Sequence, residues 1–106
     1  MKAYTAIRRG LKDAVAYSKG RRSKGVAHHS LKTWPKPFAA LKRGTKRFEF
    51  RKNDRGFRVG DVLCLCEYLP RARRFTGRDL AFRVTYILRS GFGLPKGYVV
   101  MSLEEP

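Results

Sequence analysis

From residue 44 onward the apolar residues recur at every second position, in short runs separated by glycine-bearing turns, and this restricts the fold more than any other feature of the chain. Phe48 and Phe50 alternate with Arg47, Glu49 and Arg51, which predicts a strand with its phenylalanines inward and a charged outer face. Val62 to Tyr68 predicts a second strand. Leu80, Phe82, Val84, Tyr86 and Leu88 share one face of a third, and Tyr98 to Leu103 form a fourth. Residues 52–56, 59–61 and 91–97 carry the Gly, Asn, Asp and Pro that turns require. Residues 69–79, with Pro70, Gly77 and four arginines, predict a basic hairpin or loop.

Before residue 44 the pattern is helical. Tyr4, Ile7, Leu11, Ala14 and Val15 have the spacing of an amphipathic helix over residues 2–19, with Gly20 as its stop. Residues 20–30 lack periodicity and read as a basic arm. A second helix is expected from Trp34 to Arg43: Thr33 can cap it, Pro35 and Pro37 suit its first turn, and Gly44 can end it. Trp34, Phe38 and Leu41 would share its core face. The expected fold is therefore α+β, a small, partly closed antiparallel β-barrel flanked by helices, with an extra N-terminal helix. Residues 1–28 are read as helix and arm, and residues 29–106 as the barrel domain. Closure of the sheet would protect strand edges in so short a chain.

The chain has 106 residues, 25 of them Lys or Arg against 8 Asp or Glu, a formal charge of +17. Such self-repulsion favours a partner that neutralises it, nucleic acid or an anionic membrane. Hydrophobic residues at 42% and aromatics at 12% argue against a wholly disordered basic tail. The longest apolar runs, Val62 to Cys66 and Tyr98 to Met101, fall far short of the roughly 20 residues of a spanning helix, so no membrane partner is expected. Ala3 to Ile7 is too short for the apolar region of a secretory signal, although the basic first 30 residues are compatible with a mitochondrial presequence. Two cysteines, Cys64 and Cys66, fit a reducing compartment, and a cytoplasmic location is expected.

Basic residues are densest between Lys42 and Arg58, where Lys46, Arg47, Arg51, Lys52 and Arg55 interleave with Phe48, Phe50 and Phe57. Arginine forks suit phosphate oxygens, though the same residues would equally make a solvated strand face over a phenylalanine core. Glu49, flanked by Arg47 and Arg51, could orient an arginine, accept from the amino edge of a base, or form an ordinary salt bridge. Trp34, with His28, His29 and Lys32 before it, could stack on a base or anchor the second helix in the core. Arg71, Arg73 and Arg74 would add phosphate contacts from the 69–79 loop. Cys64 and Cys66 share one strand face, but C-x-C spacing with His28 and His29 is a poor match to structural zinc sites, so no metal site is expected. There is no P-loop, no dinucleotide fingerprint and no nucleophile elbow, and no cofactor is expected.

Residues 29–35 (His-Ser-Leu-Lys-Thr-Trp-Pro), the Gly44, Lys46, Glu49, Arg51 pattern, Val59-Gly60-Asp61 and the closing run from Phe92 to Ser102 together resemble the ASCH domains of the PUA-like superfamily, most closely a small branch common in bacteria and their phages. The resemblance covers about residues 29 to 103. It implies a β-barrel flanked by helices, a cleft near the motif, and binding of RNA or modified nucleosides. Some relatives hydrolyse the amide of acetylated cytidine with a lysine and a threonine near this motif, and others are reported as nucleases. Lys46 matches the lysine, whereas Glu49 stands where the hydrolase branch has its hydroxyl nucleophile.

The leading expectation is a nucleic-acid-binding module for RNA or modified nucleotides. Lys32, Trp34, Lys46, Arg47, Glu49, Arg51, Lys52, Arg55, Arg71, Arg73 and Arg74 are its candidate contacts. One alternative is an ASCH-type nucleoside or RNA hydrolase, an amidase or ribonuclease, with Lys46 and Glu49 as catalytic candidates. The other is an interaction protein of phage type that binds a host nucleic-acid-handling complex.

Overall fold

The computed structural model describes residues 26–106. Five strands form one sheet: β1 (His28–Thr33), β2 (Phe48–Lys52), β3 (Val62–Leu69), β4 (Arg74–Leu88) and β5 (Tyr98–Glu104), with one helix, α1 (Pro35–Arg43), between β1 and β2. The order across the sheet is β1-β3-β4-β5-β2, so the first two strands in sequence lie at its two edges. β1 runs parallel to β3, and the other three pairings are antiparallel.

Two irregularities in the long strand β4 curve the sheet into a half-barrel. Between the pairs Cys66↔Asp79 and Tyr68↔Phe75, β4 advances four residues while β3 advances two. The surplus falls at Thr76, Gly77 and Arg78, and Gly77 supplies the positive φ of 92° that the detour needs. Thr76 Oγ1 and Arg78 Nε, each at 2.9 Å, donate to the same oxygen of the buried Glu67, and Arg78 also reaches the other. The detour thus wraps a hydroxyl and a guanidinium around one carboxylate. Bonding to Arg78, aided by Thr76, holds the Glu67 carboxyl below its ordinary range, with burial opposing. The second irregularity places Thr85 between Val84 and Tyr86, where its hydroxyl binds Ser102 Oγ at 2.7 Å.

The core lies on the concave side. Leu31, Leu63, Leu65, Leu80, Phe82, Val84, Val99, Met101 and Leu103 meet Phe38 and Leu41 of α1 and Phe57 of the β2–β3 connection. The helix buries residues 38 and 41 while Lys42 and Arg43 occupy its last turn, favourable at the negative end of its dipole. Gly44, at φ 83°, ends it in the left-handed conformation, its amide donating to Leu41 O.

The fold corrects several expectations. There are five strands among the described residues rather than four, because residues assigned to the arm and helix approach form β1. Its His29, Leu31 and Thr33 alternate inward, but with one strongly apolar residue the pattern is faint. The barrel-like curvature expected is present as a half-barrel, but the sheet is not closed, contains a parallel pair and carries a single short helix among the described residues, so it is mostly β rather than a helix-flanked α+β barrel. Helix formation begins at Pro35, with Trp34 as its N-cap. The 69–79 segment is a hairpin whose strands extend to Leu69 and from Arg74, leaving residues 70–73 as the turn. The predicted 2–19 helix and most of the arm lie outside the described residues.

The largest correction concerns β2. Phe48 and Phe50 are 46% and 47% exposed, while Glu49 is only 3% exposed. Register explains the inversion. Glu49 pairs with Met101 and Arg51 with Val99, and both β5 partners are buried. Because pairing places directly opposed residues on the same face, the strongly apolar set of β5 carries Glu49 and Arg51 inward.

Candidate nucleic-acid interface

β1 and β2 are the free edges of the half-barrel, and no strand pairing joins them among the described residues. Two arginines cross the seam instead. Arg51 of β2 donates through its Nη2 to Lys32 O at 2.7 Å and Thr33 Oγ1 at 3.4 Å, and Arg55, just beyond β2, donates to Ser30 O at 3.1 Å. Carbonyls of an edge strand are thereby satisfied by guanidinium groups, which also blunts that edge against further strand pairing. Arg51 is itself fixed by Glu49, whose Oε2 accepts from Arg51 Nε at 2.8 Å while Oε1 accepts from Lys46 Nζ at 2.8 Å. A buried carboxylate costs several kcal/mol in desolvation unless paired, and here each oxygen has a cation.

Above this ion triad lies an open groove of about 390 Å³ lined by Lys32, Thr33, Trp34, Pro37, Lys46, Glu49, Phe50, Arg51, Lys52 and Tyr98. Trp34, Phe50 and Tyr98 supply its aromatic walls. On the β1 side Trp34, 49% exposed, stacks on Tyr68 with centroids 5.8 Å apart, and Tyr68 meets Phe75 edge-on at 4.9 Å. Lys32 Nζ lies 4.4 Å from the Tyr68 ring centre. On the β2 side Phe50 stacks on Tyr98 at 5.3 Å, a diagonal pair across the β2–β5 ladder, and Lys46 Nζ lies 4.9 Å from the Phe48 ring centre.

Six of the candidate residues therefore meet in one place: Lys32, Trp34, Lys46, Glu49, Arg51 and Lys52. Arg55 lies on an adjoining groove with Ser30, Leu31, Lys32, Arg51, Cys66 and Phe75. Arg47 faces a different one, beside Lys42, Arg43 and Glu104, and its Nε reaches Gly44 O at 3.4 Å. Arg71, Arg73 and Arg74 are exposed around the β3–β4 turn, apart from the groove's lining. The core-anchor reading of Trp34 fails, since the ring covers Tyr68 at the surface rather than joining Phe38 and Leu41 inside. His29 is unavailable for phosphate: it is buried, with Nε2 2.9 Å from Asp61 Oδ2 and its ring edge-on to Phe57. Asp61 also accepts from the amides of Arg58 and Ala27, tying the start of β1 to the turn before β3.

Sequence reasoning missed Tyr68, Phe75 and Tyr98, and it read Thr33 as a helix cap and candidate hydroxyl donor, whereas here Thr33 lines the groove and accepts from Arg51. Thr33 and Tyr98 sit where β1 and β5 present them to β2, which follows only from the strand order. Tyr68 and Phe75 are register partners across the β3–β4 hairpin, a pairing that an exact turn position would have revealed. Among the described residues no helix is long and apolar enough to cross a membrane.

These features define a small β-rich domain whose open sheet is bridged by Arg51, ion-paired to Glu49, and by Arg55, beside an aromatic-walled basic groove. The family model described as "Domain of unknown function (DUF3850)" matches residues 28–103, and the chain belongs to that family. It is also similar to an uncharacterised 12.9 kDa protein in the GpA 3′ region of Escherichia phage P2, at 42% identity over 57 residues. That match takes in 54% of this chain and half the length of the phage protein.

Proposed function

We propose that the protein is a nucleic-acid-binding module that takes single-stranded RNA, or a modified nucleotide within it, in the seam groove. The observation that carries this reading is the juxtaposition of the exposed rings of Trp34 and Phe50, each stacked on a half-buried tyrosine, with Lys32, Lys46, Arg51 and Lys52 in one open groove. Exposed rings offer base-stacking faces, and the cations offer partners for phosphate. Duplex is disfavoured as ligand because paired bases do not present their faces to such stacks. Arg55 and the turn arginines Arg71, Arg73 and Arg74 extend the positive surface on which a longer strand would lie. The resemblance to ASCH domains of the PUA-like superfamily points the same way.

The hydrolase alternative rests on Lys46 and Glu49, and their geometry is less favourable to it. Both carboxylate oxygens of Glu49 are engaged by cations at 2.8 Å, which leaves the group a scaffold for Arg51 rather than a free proton acceptor. The decisive experiment is fluorescence anisotropy with labelled single-stranded and duplex RNA across a salt series. Single strands should bind more tightly, with log K falling by roughly 0.7 per phosphate contact for each unit of log salt. Salt-independent binding, or equal affinity for duplex, refutes the reading. Turnover of acetylated cytidine or RNA that is lost in Lys46→Ala would instead establish the hydrolase.

A further inference from the structure

On the face of β3 opposite the core, Cys64 and Cys66 point the same way, and register places Asp79 of β4 directly beside Cys66. The two thiol sulfurs are 3.7 Å apart, and all three side chains offer ligand atoms within 4.8 Å of one another. We propose that Cys64, Cys66 and Asp79 form a binding site for a thiophilic divalent cation of the zinc class. The carboxylate is what C-x-C spacing alone could not reveal, since it arrives from the neighbouring strand.

The geometry favours this ion class. Tetrahedral coordination with metal–sulfur bonds of about 2.3 Å sets the two sulfurs about 3.8 Å apart, close to the separation already present. Two-coordinate binding of a monovalent soft ion would instead stretch the pair toward about 4.6 Å, twice that bond length. Asp79, whose carboxylate oxygen already lies within 4.8 Å of the sulfurs, would approach them as the third ligand. Cys64 is fully buried, and Cys66 is half-buried and opens onto the groove of about 410 Å³ lined by Ser30, Lys32, Arg51, Arg55 and Phe75. That groove supplies an entry path and room for a water at the fourth position. Binding replaces thiol protons by the cation, so two protons leave as the two metal–sulfur bonds form.

The test is a titration of the reduced, full-length protein with Co²⁺, with Zn²⁺ as competitor. One equivalent should produce a thiolate-to-metal charge-transfer band together with the intense visible bands of tetrahedral cobalt, and Zn²⁺ should abolish both. Cys66→Ser should remove most of the charge-transfer intensity. Asp79→Asn should leave the sulfur signal but weaken affinity at least tenfold. Circular dichroism on each variant checks folding, and the wild-type titration stands whether or not the variants fold. Absence of a charge-transfer band from the folded, reduced wild type overturns the proposal, as does a band of undiminished intensity in a folded Cys66→Ser variant. Retention of full affinity in folded Asp79→Asn overturns the three-ligand assignment. A thiol pair joined only by an S–H···S contact gives the first of these results.

Discussion

Replacing Arg51 by methionine removes the group that bridges the open edges of the sheet. The methionine keeps much of the aliphatic stem, so the lost interactions are those of the guanidinium: to Glu49 Oε2 at 2.8 Å, Lys32 O at 2.7 Å and Thr33 Oγ1 at 3.4 Å. Breaking a buried pair by removing one partner costs about 3–5 kcal/mol. Two features reduce that figure. The Arg51 side chain is 24% exposed, against 4% for Glu49, so water partly screens the pair. Lys46 also remains on the other oxygen and still compensates the buried charge. An expected loss of about 2 kcal/mol follows. Glu49→Gln should cost a similar amount, and the double variant should cost clearly less than the sum, with a coupling of about 1 kcal/mol or more. Urea unfolding followed by circular dichroism supplies all three values. A loss below about 0.5 kcal/mol for Arg51→Met, or additive single effects, would show that the ion triad does not hold the seam.

Other consequences are as specific. Glu67 is held below its ordinary carboxyl range by Arg78, so the unfolded chain takes up that proton first as pH falls. Its contribution to stability is present above the ordinary value of about 4.5 and is lost as pH drops through the lower folded value; urea midpoints of Glu67→Gln should therefore depend less steeply on acid pH than wild type. An equally steep acid decline in the variant contradicts the assignment. Trp34→Ala should weaken single-stranded RNA binding by about 1–3 kcal/mol, the typical value of one stacked base, with thermal unfolding nearly unchanged because the ring packs at the surface. Phe38→Ala should do the reverse, costing about 3–5 kcal/mol of stability on urea unfolding because its ring is fully buried beneath α1.

The contrast between β5 and β2 shows what the sequence made legible. Tyr98 to Leu103 alternates strongly apolar residues, and the strand forms where the pattern predicts, with Val99, Met101 and Leu103 buried. In β2 both candidate faces carry residues able to be buried, phenylalanines on one side and a compensated Glu–Arg–Lys set on the other. Local pattern chooses the phenylalanines, whereas pairing with β5 chooses the charges. β1 was illegible for a different reason: it pairs in parallel with a strand nearly 30 residues later, and only Leu31 in it is strongly apolar. For the groove, the cationic motif residues were readable as a cluster because Lys46, Glu49 and Arg51 are neighbours in sequence. Their aromatic companions were not, since Tyr68 and Tyr98 reach them only through the sheet. The motif's role also shifted. Of the readings open for Glu49, orienting an arginine is the one the structure shows, and Arg51 so held binds the two edges of the domain together.

Trp34 is the chain's single tryptophan, so its fluorescence reports the groove wall without any label. Titration with an unlabelled single-stranded oligoribonucleotide should quench that emission, in parallel with binding measured by anisotropy, and rising salt should reverse both together. Phe50→Ala should shift the quenching curve to higher RNA concentration. Tight binding that leaves Trp34 emission unchanged would place the nucleic acid elsewhere on this basic surface and contradict the seam groove as its site.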